Sequence, residues 1–181
     1  MRLFVAVVPP ADVVAELDAQ VGPLRDQVLR WTTPDAWHLT LAFYGEVGDE
    51  RLPDLGARLA RAARRSSPVE LGLVGAGRFD GRALWVGCTG DVAVLRGLAR
   101  SLRAAGRRVG ASVDEERHFR PHVTLARSSR PVNLRPYVAA LAGYEGRTWT
   151  ARDVALVQSE LGMGDLRRPR YQTLSTFGLG P

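Results

Sequence analysis

The spacing of apolar positions changes along the chain, and each change predicts an element. Residues 2–8 alternate weakly and read as a first strand. Over residues 10–30, Val13, Val14, Leu17, Val21, Leu24, Val28 and Leu29 recur at helical spacing, with Gly22-Pro23 expected to break or kink the helix. Pro34-Asp35 signals a turn, Trp37 to Tyr44 a strand, and Gly45 to Gly48 a loop. Asp49 to Arg65 predicts a second helix, with Leu52, Leu55, Leu59 and Ala62 on one face. Residues 69–75 and 83–88 read as strands joined by a turn at Asp80-Gly81. Asp91 to Ala105 predicts a third helix, with Leu95, Leu98 and Leu102 inward and Gly106 as its stop. Phe119 to Ala126 reads as a strand, Asn133 to Leu141 as a short helix capped by Asn133 and stopped near Gly143, and 149–159 and 171–179 as closing strands.

The strand–helix–strand order occurs in both halves. With 181 residues, this points to one domain spanning 1–181, built of two similar lobes and large enough to bury a core. No apolar run reaches the length of a membrane helix. The apolar start is too short for a convincing signal peptide and ends at Pro9-Pro10. A single cysteine, Cys88, excludes an internal disulfide and reads as a small core residue. A cytoplasmic monomer is the expectation.

One pattern stands out from this background. His38-Leu39-Thr40-Leu41 is repeated 84 positions later as His122-Val123-Thr124-Leu125, in a chain with three histidines. Chance would place Thr at +2 and Leu at +3 of two of the three roughly 1 time in 10,000. Both copies lie in β-type surroundings, where residues i and i+2 point the same way. Each copy then presents one imidazole and one hydroxyl on a common face. A single histidine on a strand is usually a surface or core residue, and threonine is a good strand former. The duplication favours a site. His118 belongs to neither copy and reads as structural or as a rim contact.

Two imidazoles across a cleft can divide acid–base work, one accepting a proton and the other donating one. The hydroxyls can bond the non-bridging oxygens of a phosphoryl group. That combination suits phosphodiester cleavage without a metal, and no metal or other cofactor is expected: H-E-x-x-H is absent, and no acidic cluster surrounds either motif. All 25 basic residues are arginine, a bias that GC-rich coding explains. Their distribution says more. Residues 1–90 carry a net charge of −1 and residues 91–181 a net of +7, with Arg117, Arg120, Arg127 and Arg130 flanking the second motif. This suits an anionic partner such as RNA, although a charged run is also commonly a solvated face.

With these residues in view, the chain resembles the two-histidine (2H) phosphoesterase superfamily. Within it, the chain looks most like the RNA 2′,3′-cyclic phosphodiesterases, once called LigT-like 2′-5′ RNA ligases. The resemblance rests on Arg2–Ala6, Trp37–Glu46, Ala83–Gly87, Phe119–Arg127 and Val157–Leu161, and it covers nearly the whole chain. It implies an α+β, bilobal fold of two antiparallel sheets with outer helices, a pseudo-two-fold axis and a central cleft. It implies hydrolysis of a 2′,3′-cyclic phosphate on an RNA end or nucleotide to a 2′-phosphomonoester. His122 would be the general base on water, His38 the general acid for the 3′ oxygen, and Thr40 and Thr124 the phosphate holders. Phe43 and Arg127, each at +5 from a histidine, are implied substrate contacts. Simple strand parity opposes this, because +5 points away from the histidine face unless a bulge intervenes. Tyr44, where the family usually has Leu, is expected at the pocket rim. Two other readings use the same residues: a non-catalytic RNA- or nucleotide-binding module, and 2′-5′ RNA ligation.

Overall fold

The weak alternation at the start becomes strand β1 (Arg2–Val7), whose Leu3, Val5 and Val7 enter the main core while Phe4 and Ala6 face the other way into a smaller cluster. The computed structural model describes residues 1–113, 119–160, 162 and 169–181. Helix α1 (Ala11–Val21) buries Val13, Leu17 and Val21. It does not continue to residue 30. Gly22 donates its N–H to Asp18, and then Pro23, which has no N–H, opens a 3₁₀ turn over Gly22–Leu24. The Asp26 carboxylate next captures the backbone N–H groups of Val28 and Leu29, a local bond that competes with helix. Residues 30–31 instead form a short strand, β2 (Arg30–Trp31).

The remaining elements are β3 (Leu39–Glu46), α2 (Leu52–Arg64), β4 (Val69–Phe79), β5 (Ala83–Gly90), α3 (Val92–Arg108), β6 (His122–Arg127), α4 (Arg135–Leu141), β7 (Trp149–Ala151), β8 (Asp153–Glu160) and β9 (Arg170–Gly178). Asp80 and Gly81 make the β4–β5 turn at φ 49° and 64°, as their sequence predicts. Asn133 lies one residue before the α4 cap, Leu134, and its side chain accepts the N–H of Arg135.

The run 149–159 is two strands, not one. It breaks at Arg152 because β7 pairs with β4 at one end of the sheet and β8 pairs with β1 and β9 at the other. The order is β7-β4-β5-β6-β3-β1-β8-β9, antiparallel throughout, with β2 on β6. The two expected sheets are thus two four-stranded halves, continuous through a single registered pair between the motif strands, Leu39 with Val123. Helices α2 and α3 cover the β3 half, and α4 packs on β4 and β5. One half takes β1, β3, β8 and β9 from both chain ends; the other takes β4 to β7 from the middle. The charge difference between residues 1–90 and 91–181 is therefore not a difference between the two halves of the sheet.

Gly106 is no helix stop. Helix α3 runs through it, and a Cβ there would lie 2.5 Å from the Tyr44 ring. Tyr44 is fully buried in the main core, with its hydroxyl donating to the Leu102 carbonyl at 3.0 Å. The ring therefore sits on the helix side of β3, away from the expected pocket rim, and the missing side chain at Gly106 is the space it fills.

Candidate active site

The β3–β6 seam brings the two motifs face to face. His38 immediately precedes β3, and His122 is the first residue of β6. Each ring is held in the same manner. The Nδ1–H of His38 donates to the Ala36 carbonyl and that of His122 to the Arg120 carbonyl, each at 2.7 Å and each two residues back. A carbonyl only accepts, so the proton is fixed on Nδ1, and Nε2 is the nitrogen each imidazole has for proton exchange. The short turn Pro34–Ala36 supplies one carbonyl and the segment Phe119-Arg120-Pro121 the other.

Aromatic side chains hold both rings. His38 stacks on Phe4 at 4.7 Å between centroids and meets the edge of Tyr171 at 5.2 Å. His122 meets Phe79 at 5.1 Å and Trp85 at 5.8 Å. Trp85 comes so close to the backbone of Gly77 that no Cβ fits there. The four motif residues His38, Thr40, His122 and Thr124 line one cavity of about 100 Å³, together with Thr32, Ala36, Arg127 and Tyr171. A second space of about 330 Å³ adjoins it and shares His38, Thr40, Arg127 and Tyr171; its further walls include Arg2, Phe4, Phe43 and Ser159.

Phe43 and Arg127 reach the site through matching irregularities. Along β3, Thr40 pairs with Ala6 and Ala42 with Val5, so Leu41 has no partner of its own; Tyr44 is passed over likewise. Along β6, Thr124 pairs with Trp85 and Ala126 with Leu84, leaving Leu125 over. In both strands the +3 and +4 residues, Leu41 with Ala42 and Leu125 with Ala126, are buried in succession. The extra residue flips parity, and +5 returns to the face of the histidine. Arg127 lines both spaces around His38, and Phe43 lines the larger one.

Burial pushes the His38 imidazole below its ordinary pKa. The bond to Ala36 opposes this, and the fields of His122 and Arg127 add to the depression. Burial also raises the Tyr171 phenol, against the fields of Arg127 and Arg2. At rest, His38 thus favours its neutral form beside a cluster of positive charge. An anion placed between the motifs would meet two hydroxyls and a guanidinium, and its charge would favour a proton on His38.

Sequence reasoning missed Phe4, Tyr171, Phe79, Trp85, Arg2 and Thr32. Arg2, Phe4 and Trp85 lie in stretches that carry the resemblance, but nothing in the sequence gave them a role; Tyr171 sits in a stretch without a motif. Arg130 is exposed and lines neither space. Arg117, His118 and Leu161 lie outside the described residues. Cys88 is a partly buried thiol whose pKa burial raises to about 11, in keeping with an inert packing role. Among the described residues, no three His, Cys, Asp or Glu side chains gather as metal ligands, and no helix is long and apolar enough to cross a membrane.

Comparison with known proteins adds a family. The sequence profile of the 2′-5′ RNA ligase superfamily matches residues 10–162. A Thermus thermophilus protein named RNA 2′,3′-cyclic phosphodiesterase is 36% identical over 192 residues, covering 99% of this chain and 90% of that protein. The crystal structure of Escherichia coli LigT in apo form superposes with a TM-score of 0.80 at 27% identity, over 99% of this chain and 98% of that one. LigT complexed with 3′-AMP gives 0.80 at 28% identity, over 98% and 97%.

Proposed function

The chain belongs to the 2′-5′ RNA ligase superfamily, and from that membership and the geometry of its cleft we propose that it is an RNA 2′,3′-cyclic phosphodiesterase. The observation that carries this reading is the pair of His-x-Thr copies lining one cavity, with both imidazoles fixed in the same tautomer. A binding module has no need of two oriented imidazoles, whereas acid–base cleavage does.

In the reaction, the cyclic phosphodiester lies between the motifs. Thr40, Thr124 and Arg127 bond its non-bridging oxygens and offset the charge that builds on them. His122 Nε2 removes a proton from water, and the water oxygen bonds to phosphorus. The bond from phosphorus to the 3′ oxygen breaks, and His38 Nε2 delivers its proton to that oxygen. The product is a 2′-phosphomonoester. The direction of the two roles follows the family resemblance. The site uses its own protons and charges and requires no metal ion.

The test is turnover of 2′,3′-cyclic mononucleotides in EDTA, with the product identified. Formation of the 2′-phosphate at an undiminished rate is the expected result. Rate loss on chelation, restored by zinc or manganese, overturns the metal-free mechanism. Tight binding without turnover would make the chain a binding module. Joining to a 5′-hydroxyl end in preference to hydrolysis would make it a ligase.

The depressed His38 pKa gives a second expected outcome. As general acid, His38 must be protonated, so kcat/KM, which reports the free enzyme, falls as pH rises through a value below the ordinary histidine pKa of about 6.5. In the complex the phosphodiester anion lies beside the ring and favours its cation. The alkaline limb of kcat therefore lies at higher pH than that of kcat/KM. Coincident alkaline limbs at or above about 6.5 would remove His38 from the acid role.

A further inference from the structure

A space of about 420 Å³ lies in the groove between helices α2 and α3, and it shares no lining residue with the cavities around the motif histidines. The two helices run antiparallel. The Arg51 guanidinium, just before α2, donates to the carbonyls of Val109 and Gly110, just after α3, at 3.2 and 3.0 Å. Along α2 and its C-cap, Arg58, Arg61 and Arg65 face the groove with Ala62 between them, the i, i+3, i+4, i+7 stripe of one helix face. Helix α3 presents the same spacing, with small residues at Ser101, Ala104 and Ala105 and a fourth arginine, Arg108, in its last turn. Four guanidiniums thus rim a floor of small side chains. Arg58 is partly neutralised by Asp54, at 3.0 Å. Arg61, Arg65 and Arg108 are exposed, and among the described residues no carboxylate pairs with them. Helix stability does not call for this cluster. Arg61 stands three residues from Arg58 and four from Arg65, spacings at which like charges repel. The helix dipole accounts for arginines in a last turn, but not for Arg58 at mid-helix. Nor is Arg65 needed as a cap, because the Gly180 N–H donates to the Ser66 carbonyl at 2.8 Å and to that of Ala63 at 3.3 Å.

We propose that the α2–α3 groove is a binding site for a short chain of linked phosphates, the di- or triphosphate of a nucleotide or of inorganic polyphosphate. At 1.5 Å of rise per residue, Arg58 and Arg65 are roughly 10 Å apart along the helix axis. A single phosphate meets one or two of the guanidiniums, whereas a linked chain can lie along the stripe and meet them together. The planar guanidinium forks match phosphate oxygens, and the small residues between them leave the anion room to approach. The volume is that of a small-ligand pocket, which favours a compact polyanion over a strand of nucleic acid. An anion in the groove also relieves the repulsion among the arginines, so its binding stabilises the helix layer. The site is independent of the cyclic phosphodiesterase reading, since none of its residues lines the motif cavity.

The experiment titrates inorganic tripolyphosphate into the full chain by calorimetry and follows thermal unfolding in parallel. The proteins are the wild type, Arg127→Gln to weaken any binding in the motif cleft, and the groove variants Arg61→Gln, Arg65→Gln, Arg108→Gln and Asp54→Asn. Glutamine keeps the helix propensity of arginine and removes its charge, so these variants should unfold near the wild-type temperature without ligand. Tripolyphosphate should bind the wild type, raise its unfolding temperature, and still bind Arg127→Gln. Each arginine-to-glutamine change in the groove should raise Kd by roughly tenfold, the scale of one charge-assisted hydrogen bond. Asp54→Asn should act in the opposite sense and lower Kd by roughly threefold, because it releases Arg58 from a surface ion pair. Orthophosphate should bind far more weakly than tripolyphosphate. In the Arg127→Gln protein, ATP binding tighter than tripolyphosphate would identify the ligand as a nucleotide, and binding no tighter would identify inorganic polyphosphate. Binding that is lost in Arg127→Gln and kept in the groove variants places the anion in the motif cleft and overturns the site. Equal affinity for orthophosphate overturns the linked chain. A single-stranded oligonucleotide that binds the groove more tightly than tripolyphosphate overturns the compact ligand. Affinity weaker than about 1 mM, with no rise in unfolding temperature, leaves the groove a solvated basic face and overturns the proposal outright.

Discussion

Removing either motif imidazole, as His38→Ala or His122→Ala, is expected to lower kcat on a cyclic mononucleotide by roughly 10²–10⁴-fold, the range of a single general acid or base. The two rings are equivalent in construction. Each is fixed through Nδ1 to a carbonyl two residues back, at 2.7 Å in both cases, and each is packed between two aromatic side chains. They differ in role, because proton removal from water and proton delivery to the leaving oxygen are separate requirements of one transition state. The double mutant should therefore be little worse than the more severe single mutant. His38→Gln and His122→Gln serve as checks on folding, since the amide approximates the ring's bulk without its acid–base range. Thermal unfolding should be similar across the set while turnover is lost. A folded single mutant that keeps near-normal kcat would end the two-histidine mechanism.

Arg127→Ala is expected to have the next largest effect, a loss of roughly 10²-fold in kcat/KM on the mononucleotide, comparable to removing one oxyanion donor. Arg127 shares the motif cavity with all four motif residues and also lines the adjoining aromatic space. A second readout separates its charge from its shape. The field of Arg127 helps to depress the His38 pKa. Its removal should move the alkaline limb of kcat/KM to higher pH even as the rate falls. Arg127→Lys should restore part of the rate, since an ammonium supplies charge without the planar fork, and should leave the limb near its wild-type position. Arg127→Ala with unchanged rate and unchanged profile would place the guanidinium outside the reaction.

The duplicated motif was legible because it is local. Two histidines with the same +2 and +3 neighbours can be read from the sequence, and strand periodicity then places imidazole and hydroxyl together. The helices that cover the sheet were legible for a similar reason: Leu55 and Leu59, then Leu95, Leu98 and Leu102, recur at helical period and are buried. Reading failed where the deciding partner is distant. Gly106 looks like a stop, but it is a space for Tyr44, 62 residues away. The run 149–159 looks like one strand, yet its two parts pair at opposite ends of the sheet. The break expected at Gly22-Pro23 is a local signal and does end α1 there; the apolar spacing of Leu24, Val28 and Leu29 beyond it is overridden nearby, by the Asp26 side chain.

By itself the sequence determined the pair of imidazoles and hydroxyls, their common face within each strand, and the α+β alternation that carries them, all of which depend on residue type and short-range geometry. Only the tertiary structure decided which face Phe43 and Arg127 share with the histidines. That depends on an extra residue in each motif strand, at Leu41 and Leu125, and a bulge is a property of the pairing between strands rather than of either strand alone. Only the tertiary structure also brought Phe4 and Tyr171 onto one ring and Phe79 and Trp85 onto the other. Each of these contacts joins segments whose separation along the chain carries no local signal, and the fold alone sets their distance in space.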